Sequence, residues 1–128
     1  MARILLVEPD RLLAKAYESS LSAAGHQVTA CLTGQAAIQA ADKRAPDLVV
    51  LELQLKGHNG VEFLYELRSY PEWQDIPVIV QTLVPEQTLR NVQAIPLLGI
   101  NAYLYKPASS LGKLVEAVAE HSRQPAMV

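Results

Sequence analysis

Short, unbroken runs of apolar residues alternate along this chain with longer segments in which apolar residues recur every three or four positions. An unbroken short run is typical of a strand covered on both faces, and the longer spacing is typical of an amphipathic helix. The predicted strands are ILLV (4–7), QVTAC (27–31), LVVLEL (48–53), VIVQT (78–82) and AYLY (102–105). The predicted helices cover 11–24, 33–44, 61–70, a segment that begins at 85, and 109–122.

Several predicted helix boundaries have their own sequence signals. Asp10 is a suitable N-cap for the first helix, and Gly25 suits the left-handed position that ends it. Pro85 fits the first turn of the fourth helix, and Pro96 is expected to fray or kink that helix. The boundaries therefore agree with the periodicity.

Five strands that alternate with five helices over short connections imply an α/β fold with a doubly wound, five-stranded, mostly parallel sheet and helices on both faces. A length of 128 residues suits one domain of this kind. We predict a single domain over residues 1–122 and a loose C-terminal tail over 123–128.

Composition and charge narrow the classes of function. A formal net charge of −2 and a pI near 5.9 argue against nucleic-acid binding, which usually needs a basic face. The single Cys31 forms neither an internal disulfide nor a zinc site by itself. The N-terminal apolar run is too short for a signal peptide or a membrane span, so a soluble, cytoplasmic domain is expected.

Polar residues end four of the five predicted strands. Because the carboxyl ends of parallel strands form one edge, where ligands bind in doubly wound sheets, these residues are expected to share a pocket. They are Glu8, Asp10, Glu52, Thr82 and Lys106. Glu52 is the most unusual of them, because it lies within an apolar run and needs a partner if it is buried.

The segments ILLVEPD, PDLVVLELQLKGHNGVEFLYELR, PVIVQT and GINAYLYKP, in this order, resemble the receiver domain of the bacterial response-regulator family. The resemblance covers residues 3 to about 122. It implies a flavodoxin-like, CheY-like fold that accepts a phosphoryl group on an aspartate from a histidine kinase. It also implies that Thr82 matches the phosphoryl-contacting hydroxyl and Lys106 its partner lysine. Tyr103 matches the aromatic that changes rotamer on activation, and Pro107 the proline that usually follows a cis bond.

The sequence departs from the family where the chemistry occurs. The phosphoacceptor aspartate falls on Glu52, the paired metal-binding acids fall on Glu8 and Pro9, and the proline four positions beyond the acceptor is Lys56. Phosphoryl transfer depends on positioning and on Mg²⁺, so an extra methylene and a lost acid both oppose it. No cofactor is expected, and any Mg²⁺ bound by Glu8, Glu52 and the Gln54 carbonyl is expected to be weak.

Two interpretations of Glu52 stay open at this point. In both, its carboxylate forms an ion pair, and in the first it pairs with Lys106, with Thr82 as an optional further contact. In the first, this contact imitates the phosphorylated state; in the second, it is an ordinary ion pair that replaces the metal and biases nothing.

A partner-binding face is suggested by Ile95, Leu97 and Leu98, which are unusually apolar for a helix end. The alternative is that Ile95 and Leu98 complete the core while Leu97 alone points outward.

The sequence thus predicts an atypical receiver, not an enzyme, that acts by phosphorylation-independent protein–protein interaction. Expected partners are signalling proteins such as a histidine kinase or an output domain, with a homodimer as an open alternative and with neither nucleic acid nor membrane. Two rival functions are a working phosphoreceiver that uses Glu52 with Mg²⁺, and a small doubly wound nucleotide-binding or enzyme domain. The sequence contains no glycine-rich phosphate loop, which argues against the second rival.

Overall fold

A computed structural model describes residues 1–57, 59–89 and 98–122 of the chain. Its strands are β1 (Arg3–Val7), β2 (Gln27–Cys31), β3 (Leu48–Leu51), β4 (Val78–Thr82) and β5 (Ile100–Tyr105). The α-helices within the described residues are α1 (Arg11–Ala23), α2 (Gly34–Lys43), α3 (Gly60–Ser69), α4 (Glu86–Leu89) and α5 (Leu111–His121). Short 3₁₀ turns lie at Pro71–Trp73 and Lys106–Ala108.

The five strands form one parallel sheet in the order β2-β1-β3-β4-β5. In the middle of the sheet, Leu6 of β1 lies between Ala30 of β2 and Val50 of β3. The chain first builds outward from β1 to β2 and then continues on the other side with β3. The strand order therefore reverses between β1 and β3, which is where a doubly wound sheet offers a crevice for ligands.

Two hydrophobic clusters cover the two faces of the sheet. One packs side chains of α2 and α3, such as Ala37 and Phe63, against one face. The other packs side chains of α1 and α5, such as Leu21 and Leu114, against the opposite face. Strands β3 and β4 are buried throughout. The predicted α/β fold with a doubly wound parallel sheet is confirmed.

Three strands differ from the prediction in their bounds, and β1 differs least, because it begins at Arg3, one residue earlier than predicted. β2 and β4 have the predicted bounds, whereas β3 ends at Leu51 instead of continuing through residue 53. Glu52 still donates its backbone N–H to the Val7 carbonyl at 2.9 Å, and the chain then turns toward α3. β5 begins at Ile100, two residues earlier than predicted, and pairs with β4 across a register shift.

The turn after β3 depends on Gly60, the first residue of α3. Its N–H donates to the Leu53 carbonyl at 2.7 Å. A Cβ atom added at Gly60 would lie 2.6 Å from the Leu53 Cα and 3.0 Å from the Glu52 carbonyl oxygen. The backbone of α3 therefore approaches the chain after β3 so closely that a side chain at this position would collide with it.

The predicted helix caps are present. Asp10 Oδ1 accepts from the N–H groups of Leu12 and Leu13, and Gly25 has a φ of 97° just beyond α1. Thr33 caps α2 through its hydroxyl. The predicted kink near Pro96 and the predicted tail over 123–128 lie outside the described residues.

Among the residues that the structure describes, no helix is both long and apolar enough to span a bilayer.

Candidate functional site

Four polar side chains meet at the carboxyl edge of the sheet, each supplied by a different strand. Glu8 follows β1, Glu52 follows β3, Thr82 ends β4, and Lys106 follows β5. Glu8, Glu52 and Thr82 are almost completely buried. Charged groups are seldom buried to this extent unless they are paired, so each carboxylate needs a partner.

Lys106 is the partner of both carboxylates. Its Nζ atom lies 2.7 Å from Glu8 Oε1 and 2.6 Å from Glu52 Oε1. Burial alone would lower the pKa of Lys106, but its hydrogen bonds to Glu52 and Glu8 outweigh burial, and its pKa is raised. The lysine is therefore held as an ammonium ion between two carboxylates, and the predicted Glu52–Lys106 contact is present.

The remaining carboxylate oxygens are also used. Glu52 Oε2 accepts from the Gln54 backbone N–H at 3.0 Å and from the Thr82 hydroxyl. Glu8 Oε2 accepts from the Asp10 backbone N–H at 3.0 Å. All four oxygens of the two buried carboxylates thus have a donor.

Asp10 was predicted to be part of the acidic pocket, but its side chain lies elsewhere. Its carboxylate caps α1, because the first N–H groups of a helix need an acceptor, and only its backbone N–H reaches Glu8. Pro9 lies between these two residues, and its ring supplies neither a carboxylate nor an N–H group. The pocket therefore contains two acids instead of the three predicted.

These residues do not fit a magnesium ion. Mg²⁺ requires near-octahedral oxygen coordination, whereas the ammonium of Lys106 already lies between the two carboxylates. Glu52 Oε2 is also already engaged, because it accepts from the Gln54 backbone N–H at 3.0 Å. Within residues 1–57, 59–89 and 98–122, no three acidic, histidine or cysteine side chains are grouped as metal ligands would be. The weak site at Glu8, Glu52 and the Gln54 carbonyl stays a prediction, and the position of Lys106 opposes it.

A series of hydrogen bonds connects Glu52 to Tyr103. Thr82 donates its hydroxyl to Glu52, and its oxygen accepts from the Val84 N–H at 3.2 Å. The Val84 carbonyl in turn accepts from the Tyr103 hydroxyl at 2.5 Å. Burial, reinforced by the carboxylates of Glu86 and Glu52, raises the pKa of Tyr103 to about 12. Tyr103 therefore remains a neutral hydrogen-bond donor at physiological pH.

Pro107 lies in the 3₁₀ turn that follows Lys106. The cis bond implied for it is absent, because all peptide bonds of the described residues are trans. A proline near the start of such a turn already has a suitable φ with a trans bond.

The predicted partner face is only partly described. Ile95 and Leu97 lie outside the described residues. Leu98 is 2% exposed and belongs to the core cluster on the α2 and α3 side. The prediction that Leu98 contributes to an exposed face is wrong, because its side chain completes the core.

Sequence reasoning missed a second polar pair, on the face of the sheet that α1 and α5 cover. Tyr17 of α1 and Gln81 of β4 are both buried there. Burial raises the pKa of Tyr17, although its hydrogen bond with Gln81 and the charge of Lys106 oppose that shift. A glutamine inside the apolar strand VIVQT was the signal that could have revealed this pair.

Comparisons with known proteins agree with the fold described above. The family model described as the response regulator receiver domain matches residues 4–119. The phosphate regulon transcriptional regulatory protein PhoB of Rhizobium meliloti is 32% identical over 110 residues, which cover 86% of this chain and 48% of PhoB. This chain thus spans about half the length of that relative.

Solved structures show the same fold. The chemotaxis response regulator CheY4 of Vibrio cholerae superposes with a TM-score of 0.84 at 21% identity, covering 94% of this chain and 98% of CheY4. The non-phosphorylated HemR receiver domain of Leptospira biflexa superposes with a TM-score of 0.82 at 25% identity, covering 100% of this chain and 99% of that domain.

Proposed function

Because this chain belongs to the family of response regulator receiver domains, we propose that it is an atypical receiver that signals through protein–protein contacts without phosphorylation of Glu52. The observation that supports this most directly is the position of Lys106, whose ammonium lies within 2.7 Å of both Glu8 and Glu52. That ammonium offsets the charge of one of the two carboxylates without a metal ion.

Two features of the pocket oppose phosphoryl transfer to Glu52. Both of its carboxylate oxygens are hydrogen-bonded, and the ammonium of Lys106 lies between the two carboxylates that would bind a metal ion. An acceptor carboxylate needs a free oxygen in line with the incoming phosphorus, and a metal ion must neutralise the developing charge. Both Glu52 oxygens are already hydrogen-bonded, to Lys106, to Thr82 and to the Gln54 N–H. Attack by Glu52 would require these contacts to break in a buried site, where an unpaired charge is costly.

The contacts of Glu52 also suggest what it does in place of phosphorylation. Its carboxylate fixes the Thr82 hydroxyl, and through Val84 it fixes the Tyr103 hydroxyl. In this proposal Glu52 holds the loop after β4 in one arrangement at all times, so the partner-binding state is permanent and not switched by phosphate. The partner is a signalling protein, such as a histidine kinase or an output domain on the same or another chain.

The first experiment tests phosphorylation. The parent chain is incubated with a small phosphodonor and Mg²⁺, and its intact mass is measured. We expect no gain of a phosphoryl group. The matched control is the double variant Pro9→Asp/Glu52→Asp, which restores the acids that the family uses and is expected to gain one phosphoryl group. A stoichiometric gain in the parent that disappears in Glu52→Ala would refute the proposal.

The second experiment tests the influence of Glu52 on the loop. In Glu52→Gln, the side chain keeps its size but loses its charge. We expect the amide resonances of Val84 and Tyr103 to shift in a ¹H–¹⁵N spectrum, together with a changed affinity for a signalling partner found by affinity capture. The matched control is Glu62→Gln, at an exposed position of α3. Unchanged resonances and affinity in Glu52→Gln would show that Glu52 only fills the pocket.

A further inference from the structure

A second cleft lies at the opposite edge of the sheet from Glu52, between the amino ends of β1 and β2 and the carboxyl end of α2. Its volume is about 130 Å³, and its lining includes Arg3, Gln27, Thr29 and Arg44 as polar side chains. Leu5, Ala40 and Pro46 provide apolar surface. We refer to it as the Arg3–Arg44 cleft.

Strand register explains why these side chains converge. Arg3 pairs with Gln27, and Leu5 pairs with Thr29, in the parallel ladder of β1 and β2. Side chains two apart on a strand point to the same face, and Leu5 belongs to the core cluster on the α2 side. Arg3, Gln27 and Thr29 therefore point toward α2, whose C-cap residue is Arg44.

The charged side chains that line the cleft are all cationic. Two arginines line it, and none of the described lining residues is acidic. The nearby Asp47 accepts the backbone N–H of Arg3 at 2.8 Å, so that carboxylate holds the main chain of Arg3. Within the described parts of the chain, neither guanidinium forms an ion pair.

Arg3 is also incompletely hydrogen-bonded. Its Nη1 donates to the Ala45 carbonyl at 3.2 Å, but its Nε is buried and has no acceptor among the described residues. A buried donor without an acceptor destabilises the folded state, because it has lost its hydrogen bonds to water. A small reorientation of the guanidinium toward an entering acceptor would relieve that cost.

The outer strand of the sheet, β2, offers a further donor, the backbone N–H of Val28. β2 is an edge strand, and its Gln27 N–H is directed toward β1, where it donates to the Ala2 carbonyl. Backbone groups alternate in direction along a strand of a parallel ladder, so the Val28 N–H points away from β1. Val28 also lines the cleft.

We propose that the Arg3–Arg44 cleft binds a small oxyanion, namely a carboxylate or phosphate group borne on a short apolar group. The two guanidinium groups would hold the oxygens, because arginine matches both anions with paired N–H donors. Leu5, Ala40 and Pro46 would contact the apolar part. A volume of about 130 Å³ is below the roughly 300–1,000 Å³ of typical ligand pockets, so the ligand is a small anion or the anionic end of a larger one.

The test uses the ¹⁵N-labelled full chain, titrated separately with inorganic phosphate and with butyrate at constant ionic strength. We expect saturable shifts of the Gln27 and Thr29 amides, and about a tenfold or greater loss of affinity in Arg44→Gln, because a charge-assisted pair is removed. Lys43→Gln is the matched control, since Lys43 is the adjacent cation on α2 but does not line the cleft. It should bind within about twofold of the parent.

Each outcome of this titration is informative. Saturation by both anions supports an oxyanion site, and saturation by one of them identifies which group it prefers. Absence of saturable shifts with either anion overturns the proposal, as does equal binding by the parent and Arg44→Gln. Arg3→Gln should give the same loss; because Arg3 also contacts the Ala45 carbonyl, its fold is first checked by circular dichroism.

Discussion

The Nζ atom of Lys106 lies 2.6 Å from Oε1 of Glu52, although the two residues are 54 positions apart in the sequence. Both side chains are largely shielded from solvent. An ion pair in this environment depends on both of its members, because removing one leaves the other as an uncompensated buried charge. The following predictions begin with that dependence.

Lys106→Met is expected to lower the free energy of unfolding by about 3 kcal/mol, because it leaves two buried carboxylates without their cation. The double variant Lys106→Met/Glu52→Gln is expected to lose less, since one of those carboxylates is then neutral. Urea denaturation of the parent, both single variants and the double variant measures the coupling. Additive losses would mean that the two side chains do not depend on each other.

Ionisation of Tyr103 is expected to lower the stability of the folded chain at alkaline pH. Its pKa is raised to about 12 in the folded chain from an ordinary value of 10, so the unfolded chain loses this proton first. The stabilisation is complete below pH 10 and is lost as the pH rises toward 12. Urea midpoints between pH 9 and 12 should therefore fall less steeply in Tyr103→Phe than in the parent. Tyr105→Phe, at an exposed position on the same strand, is the matched control.

Protonation of His26 is expected to lower the stability of the folded chain at acidic pH. Its Nδ1 accepts the Ala2 N–H at 3.1 Å, and burial, followed by the charge of the amino terminus, lowers the pKa of His26. The unfolded chain therefore takes up this proton first as the pH falls. The contribution is present above about pH 6.5 and is lost below it. His26→Gln should flatten the stability profile between pH 5 and 7, and His121→Gln is the control for loss of a histidine. Parallel profiles for the parent and His26→Gln would contradict this prediction.

Arginine and lysine are expected to differ in how strongly they stabilise the chain at position 68. Its guanidinium donates to the carbonyls of Leu98 and Trp73 at 2.8 Å and of Gly99 at 3.1 Å. A lysine cannot reach three carbonyls with one ammonium, so Arg68→Lys should cost about 2 kcal/mol of stability. Trp73 fluorescence during urea denaturation reports the change. Arg11→Lys, at an exposed position on α1, should leave the midpoint nearly unchanged.

Substitution by alanine is expected to change stability in opposite directions at two glycines, Gly60 and Gly112. Gly60→Ala would place a Cβ atom 2.6 Å from the Leu53 backbone and should destabilise the chain by about 1–3 kcal/mol or more. At Gly112, near the start of α5, the nearest atom to such a Cβ is the Ser110 hydroxyl oxygen at 3.8 Å. Gly112→Ala should therefore stabilise the chain by about 0.5–1 kcal/mol. Thermal unfolding of both variants distinguishes the two cases.

The sequence supported the element order because its signals are local. Apolar runs, the Asp10 cap and Gly25 depend only on nearby residues, and such signals predicted most boundaries within two positions. The end of β3 was predicted too late because Leu53 is apolar and buried although it lies beyond the strand. Periodicity alone does not distinguish a buried strand residue from a buried turn residue.

The candidate site was predictable only as a set of residues. The parallel sheet brought Glu8, Glu52, Thr82 and Lys106 to one edge, and burial required that the acids be paired. The sequence did not show that Asp10 turns its carboxylate to α1, because one residue was equally suited to a cap and to a pocket. The Arg68 contacts were missed because they join α3 to the segment before β5, which is distant in the sequence. Gln81 within VIVQT was a local signal of a buried polar group, but nothing in the local pattern specified Tyr17 of α1 as its neighbour.

The ion pair of Lys106 with Glu8 and Glu52 also has a consequence for how the sheet opens. β5 is an edge strand, so it would ordinarily be among the first elements to exchange its amide protons. Lys106 ties its carboxyl end to residues that follow two of the interior strands, β1 and β3, across the intervening β4. Local opening of β5 must therefore break a buried charge contact, whereas β2 has no such tie at its carboxyl end among the described residues. The two edges of one sheet are thus expected to open at different rates, with β2 exchanging before β5.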